Sequence, residues 1–149
     1  MPKLITKRKS LVLLAALLAG LGAALGWATV VRSATTPTPV GFADVSSTVL
    51  AARGMNLTAP TTPSTDAAGA AAANAASNAF GGAAVRELHF ANCVAPGGVD
   101  RECWAISLDP SGFHSHPMDG STPITATYMI VLVDPTTDQI LHAQAGAGS

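Results

Sequence analysis

The sequence predicts an α+β fold: a small antiparallel β-sheet of about four strands packed by one Ala-rich helix, behind an N-terminal transmembrane helix or signal. Three observations predict it. Residues 11–31 contain no charged group. Residues 64–80 are dominated by alanine between a capping Ser/Thr pair and a Gly-Gly stop. Residues 85–145 contain four stretches with strand-like alternation, separated by Pro, Gly, Ser and Asp.

Charge divides the chain sharply. Residues 1–33 carry five basic groups and no acid, whereas residues 34–149 carry three arginines against nine acids, which together give the net −1. No lysine follows Lys9. A basic cluster followed by an apolar run fits a chain that crosses a membrane with its basic end kept in the cytoplasm. Residues 1–10 are therefore expected to be a basic cytoplasmic segment. The run from Leu11 to Val31, LVLLAALLAGLGAALGWATVV, would make a helix of about 31 Å at about 1.5 Å per residue, close to the roughly 30 Å hydrocarbon core. Trp27 falls near its outer end, where aromatics favour the headgroup layer. The run reads as a retained anchor or, alternatively, as a secretory signal cleaved near Gly26-Trp27-Ala28 or Val31-Arg32-Ser33. The expected localisation is single-pass membrane, with the N-terminus cytoplasmic and the C-terminal domain extracytoplasmic, or secreted after cleavage. An acidic exported part offers no basic surface to a polyanion, so no nucleic-acid partner is expected.

Residues 32–63 are expected to be a Thr/Pro-rich juxtamembrane linker with a short helix. SATTPTPV opens it with extended backbone. Phe42, Val45, Val49 and Leu50 recur at helical intervals before Gly54. Asn56-Leu57-Thr58 matches the glycosylation sequon, and Ala59-Pro60-Thr61-Thr62-Pro63 breaks the chain again. Residues 64–145 are expected to form the domain, and residues 146–149 a tail.

In STDAAGAAAANAASNAF, Ser64 or Thr65 can cap free amides and Asp66 suits the positive helix end. Alanine favours the helix, Gly69, Asn74 and Asn78 weaken it, and Gly81-Gly82 can terminate it. Its low-hydrophobicity face must gain stability by docking on a sheet; the alternative reading of residues 64–80 is a disordered Ala-rich spacer.

VRELHFANC and CWAISLD follow as two strands. Leu88 and Phe90 share one face, as do Trp104, Ile106 and Leu108, and the only cysteines, Cys93 and Cys103, share the other. Outside the cytoplasm such a pair oxidises. Nine intervening residues do not fit a C-x-x-C redox centre, and two thiols fall short of a structural zinc site. The pair reads as a disulfide, clasping a long Pro96-Gly97-Gly98 loop with both sulfurs on the outer surface of the hairpin.

DPSGFHSHPMDGSTP reads as a loop. His114 and His116 can chelate a transition metal from extended backbone, but no third ligand follows at a convincing spacing. TATYMIVLVD and QILHAQA are the last strands, joined by an Asp-Pro-Thr-Thr-Asp turn. Apolar residues on both faces of the first mark an interior strand.

The order of one helix and four strands, the helix ending Ala79-Phe80-Gly81-Gly82 and the closing VLVDPTTDQIL resemble the small exported PepSY-type modules over residues 64–145. Asp138 stands where that pattern usually has glycine. The resemblance implies a noncatalytic, interacting or inhibitory domain and supplies no site residues. The sequence holds no nucleophile elbow, no HExxH and no phosphate-binding glycine loop. The expected function is a membrane-anchored or secreted noncatalytic interaction module, with the membrane and an unknown envelope protein as partners and no cofactor. The alternative is an extracytoplasmic metal-binding protein using the His114/His116 loop.

Overall fold

The alternation along residues 85–146 closes into a single antiparallel meander, and a segment outside it supplies a fifth strand. The computed structural model describes residues 36–114, 122–123 and 125–147. In chain order the elements among them are α1 (Ser47–Ala52), β1 (Asn56–Thr58), α2 (Asp66–Ala79), β2 (Val85–Ala95), β3 (Val99–Leu108), β4 (Tyr128–Val133) and β5 (Ile140–Gly146). The sheet order is β1-β2-β3-β4-β5, every neighbour antiparallel. The α+β class is as expected, with five strands rather than four. The segments at 1–10 and 11–31 lie outside the described residues, and no described helix is long and apolar enough to cross a membrane.

Local chemistry sets both helix ends. In α2, Thr65 is the N-cap and its side chain accepts from the Ala68 amide, with Asp66 in the first turn. Its end is a Schellman turn: Gly82 N–H reaches the Ser77 carbonyl at 2.8 Å, with Gly81 at φ 69°. α1 uses the same device. Ser46 caps it, and Met55 N–H reaches the Leu50 carbonyl at 2.9 Å across Gly54, at φ 81°. The expected helix over 42–53 begins later, because Asp44 and Val45 are held in a bend by Phe42 N–H bonding the Val45 carbonyl.

α2 covers one face of the sheet. Ala72 and Ala76 pack on Trp104, Ile106, Leu108, Met129, Val131 and Val133, with Leu88, Phe90 and Phe80 around them. The residues that alternation assigned to one face are there. Phe90 and Trp104 are a cross-strand pair with ring centroids 5.1 Å apart. Gly69 is what lets the helix lie so close. A Cβ there would stand 2.9 Å from the Trp104 ring and 3.0 Å from Leu88 Cδ2. The glycine that weakens the helix is thus required by its docking.

The opposite face overturns an expectation. Residues 36–63 are not a linker beside the domain. Phe42, Val45, Leu50, Met55 and Leu57 are buried against Ala91, Cys93, Cys103, Ala105, Tyr128, Ile130 and Leu132. This arm adds β1 to the edge of the sheet and lays α1 and its neighbouring residues over this face as a third layer. Both sulfurs therefore lie in the core and not on the outer surface of the hairpin, with each cysteine fully buried. Cys93–Cys103 is a disulfide as expected, with Cα atoms 6.0 Å apart. It runs diagonally inside the β2–β3 ladder, where Cys93 faces Arg101 and Cys103 faces Ala91. The strands continue beyond it to a tight turn at Pro96-Gly97-Gly98, both glycines at positive φ. No long loop needs clasping. β4 is buried along its whole length, as its two apolar faces required. Gly146, expected in the tail, belongs to β5.

Candidate interaction edge

The two edges of the sheet are treated differently. β1 is followed outward by residues 38–40. Pro39 bridges Thr58, Val40 N–H donates to the Leu57 carbonyl at 2.8 Å, and Ala59 N–H donates to the Thr38 carbonyl at 2.8 Å. β5 pairs with β4 alone, and among the described residues nothing pairs with its outer side. Residues 139–147, QILHAQAGA, contain no Asp, Glu, Lys, Arg or Pro. Natural edge strands usually carry such residues, because free N–H and C=O groups recruit another strand. Ile140 adds an exposed aliphatic side chain at one end, 37% accessible.

β5 is held in place by its turn and by Tyr128. Asp134 Oδ1 accepts from the Thr136 and Thr137 amides at 2.9 and 3.0 Å, and Asp134 N–H donates to the Gln139 carbonyl. Asp138 takes φ 56°, a left-handed conformation that glycine adopts most readily. The register slips between Leu132 and Val133, leaving Leu141 as the extra residue of a bulge, so β5 runs regularly from His142 to Gly146. At Gly146 a Cβ would stand 2.7 Å from the Tyr128 hydroxyl oxygen. The Tyr128 hydroxyl and Gln144 Oε1 are buried without a hydrogen-bond partner among the described residues.

Sequence reasoning read QILHAQA as a strand but did not see it as an edge. The signal was present: it is the last strand of a meander and carries no charge.

A second polar group was also missed. It fastens the arm to the sheet. Ser107 Oγ donates to Asp44 Oδ2 at 2.9 Å, Arg86 lies 3.5 Å from the same oxygen, and Ala43 N–H donates to Glu87 Oε1 at 2.9 Å. His89 Nε2 sits 3.3 Å from Glu87 Oε2, and its ring meets Phe42 edge-on at 5.1 Å. The serine gives its proton to a carboxylate and the histidine is matched to another, so the partners are not those of a nucleophile and its base. Their arrangement is that of a clasp.

His114 is exposed and forms an isolated antiparallel bridge with Thr125. His116, its expected companion, lies outside the described residues. No group of three or more His, Cys, Asp or Glu side chains that could hold a metal occurs among the described residues.

Three carboxylates are held below their usual range by hydrogen bonds. Glu102 accepts first from the Thr61 hydroxyl at 2.9 Å and also from the Thr61 and Thr62 amides, so it pins Thr61 and Thr62 on the way to α2. Asp109 accepts first from the Ser111 hydroxyl and then its amide, with Arg86 adding its charge. Asp134 is lowered first by the Thr136 amide, then by Thr137, with Arg101 last. Each carboxylate is more acidic in the folded chain than in the unfolded one. Their contribution is complete above about pH 5, where both states are ionised, and is lost as pH falls through the folded values. The midpoint of urea unfolding is expected to drop below about pH 5. In a Glu102→Gln, Asp109→Asn, Asp134→Asn variant that dependence should flatten. An equally steep curve in the variant would show that other groups drive it.

Compared with protein-family models, with curated proteins and with solved structures, the chain matches none.

Proposed function

We propose that the chain is a membrane-anchored or secreted noncatalytic interaction module that engages its partner by strand addition at β5. The observation that carries this reading is the uncharged, proline-free strand Ile140–Gly146 with nothing described along its outer side. An added strand gains main-chain hydrogen bonds, and alternate side chains give it selectivity. The sequence order of one helix and four strands with the closing VLVDPTTDQIL, which resembles the PepSY-type modules, supports the same class. The charge split at residue 33 and the buried cystine support an extracytoplasmic domain.

Photo-crosslinking in the cells that make the protein tests the edge. A photoreactive residue at Ala143 or Ala145 should give discrete adducts. The same residue at Asn74 or Asn78, exposed on α2, should not. Adducts that ignore position, or none from β5, would refute strand addition. Protease added outside the same cells should degrade residues 36–149. Full protection in intact cells would refute the membrane topology.

A further inference from the structure

Resting on that reading of β5, we propose that the strand it accepts is β5 of a second copy of this chain, paired antiparallel about a two-fold axis at Gln144. The two sheets then run on as one ten-stranded sheet, and the two copies use the same patch, as a two-fold dimer requires.

The register follows from the bulge. Leu141 interrupts β5, so the regular stretch runs from His142 to Gly146, and its midpoint is Gln144. A two-fold axis there sets Gln144 against Gln144, Ala143 against Ala145 and His142 against Gly146. Each pairing suits the residues. Two carboxamides carry donor and acceptor alike and can bond each other after side-chain rotation, and Gln144 Oε1 has no partner among the described residues. Ala143 and Ala145 are small and exposed, so the backbones can approach. The imidazole of His142 meets a glycine rather than another imidazole. An axis one residue earlier, at Ala143, would bring the bulged Leu141 into the ladder.

The absence of charge on the strand itself points the same way. A strand without charged groups offers nothing for a charged partner strand to match, and a second copy brings no like charge to face it. The rest of residues 34–149 carries −6, which repels a second copy at longer range. Screening that repulsion should strengthen the pair. Association that rises with salt is therefore expected, the reverse of an interface steered by opposite charges.

Cysteine substitution reads both the partner and the register in the full chain. Directly opposed residues approach within disulfide reach. Under mild oxidation Gln144→Cys alone should give a covalent dimer, more of it at high salt than at low. Ala143→Cys and Ala145→Cys should link when mixed and poorly when each is alone. Mass mapping should place the bonds between the substituted positions, with Cys93–Cys103 intact. Ala143→Pro, placed in the Gln144→Cys chain, should abolish the dimer while the helical and sheet signals persist. Failure of Gln144→Cys to link at any salt concentration, or equally efficient linking by Ala143→Cys alone, would overturn the proposal. If those fail while photo-adducts to a different protein still form from Ala143, self-pairing falls and the docking edge stands. If neither forms, both fall.

Discussion

Leu50→Ala is expected to destabilise the domain by about 2–5 kcal/mol, the range for emptying a fully buried aliphatic site. Leu50 has no accessible surface and sits in α1, in a segment whose Thr/Pro flanks read as a stalk. Its side chain packs in the core layer that includes both cysteines, Ala105 and Tyr128. Urea unfolding followed by far-UV circular dichroism measures the effect. Thr48→Ala, at an exposed position of the same helix, should stay within about 0.5 kcal/mol of the parent. A Leu50→Ala loss below about 1 kcal/mol would mean that the arm is not part of the core.

Removing the cystine is expected to cost about 3 kcal/mol. Its two ends are separated by 10 in sequence, and closing a loop of that size restricts the unfolded chain by roughly this amount. The comparison is parent against the Cys93→Ala, Cys103→Ala double variant, in urea without reductant. Because both sulfurs are fully buried, native protein should also resist a reductant that acts readily after unfolding. Thiol alkylation of unreduced, unfolded parent should label neither cysteine. A double variant as stable as the parent would show that Ala91, Ala105 and the arm hold the β2–β3 ladder without it.

What could be read from the sequence was what local periodicity carries. Trp104, Ile106 and Leu108 alternate because one side of β3 lies under a helix, and Tyr128 to Val133 are apolar throughout because β4 is covered on both sides. Capping chemistry located α2 to within two residues at its start. The arm escaped because its partners are small. Ala91, Cys93, Cys103 and Ala105 look like the dull side of a hairpin, yet their small volume is what admits Leu50, Met55 and Leu57. β1 escaped because three residues, Asn56–Thr58, carry almost no alternation. The clasp of Asp44 on Ser107 spans 63 residues of chain, a pairing that no local pattern encodes. The β5 edge could have been read from its place at the end of the meander and its lack of charge, whereas the cover that residues 38–40 give the opposite edge could not.

The sequential strand order has a consequence for how the chain matures. Every ladder from β2 to β5 joins strands that follow one another in sequence, β2–β3 and β4–β5 across tight turns and β3–β4 across residues 109–127. The arm must wait, and so must α2, whose partners lie on β3 and β4. Made before the strands it packs on, the arm cannot bury Phe42 or Leu50 fully until β3 has emerged to receive them. For that interval the nascent protein carries the arm's greasy side chains uncovered, a sticky stretch that only residues made later can shield.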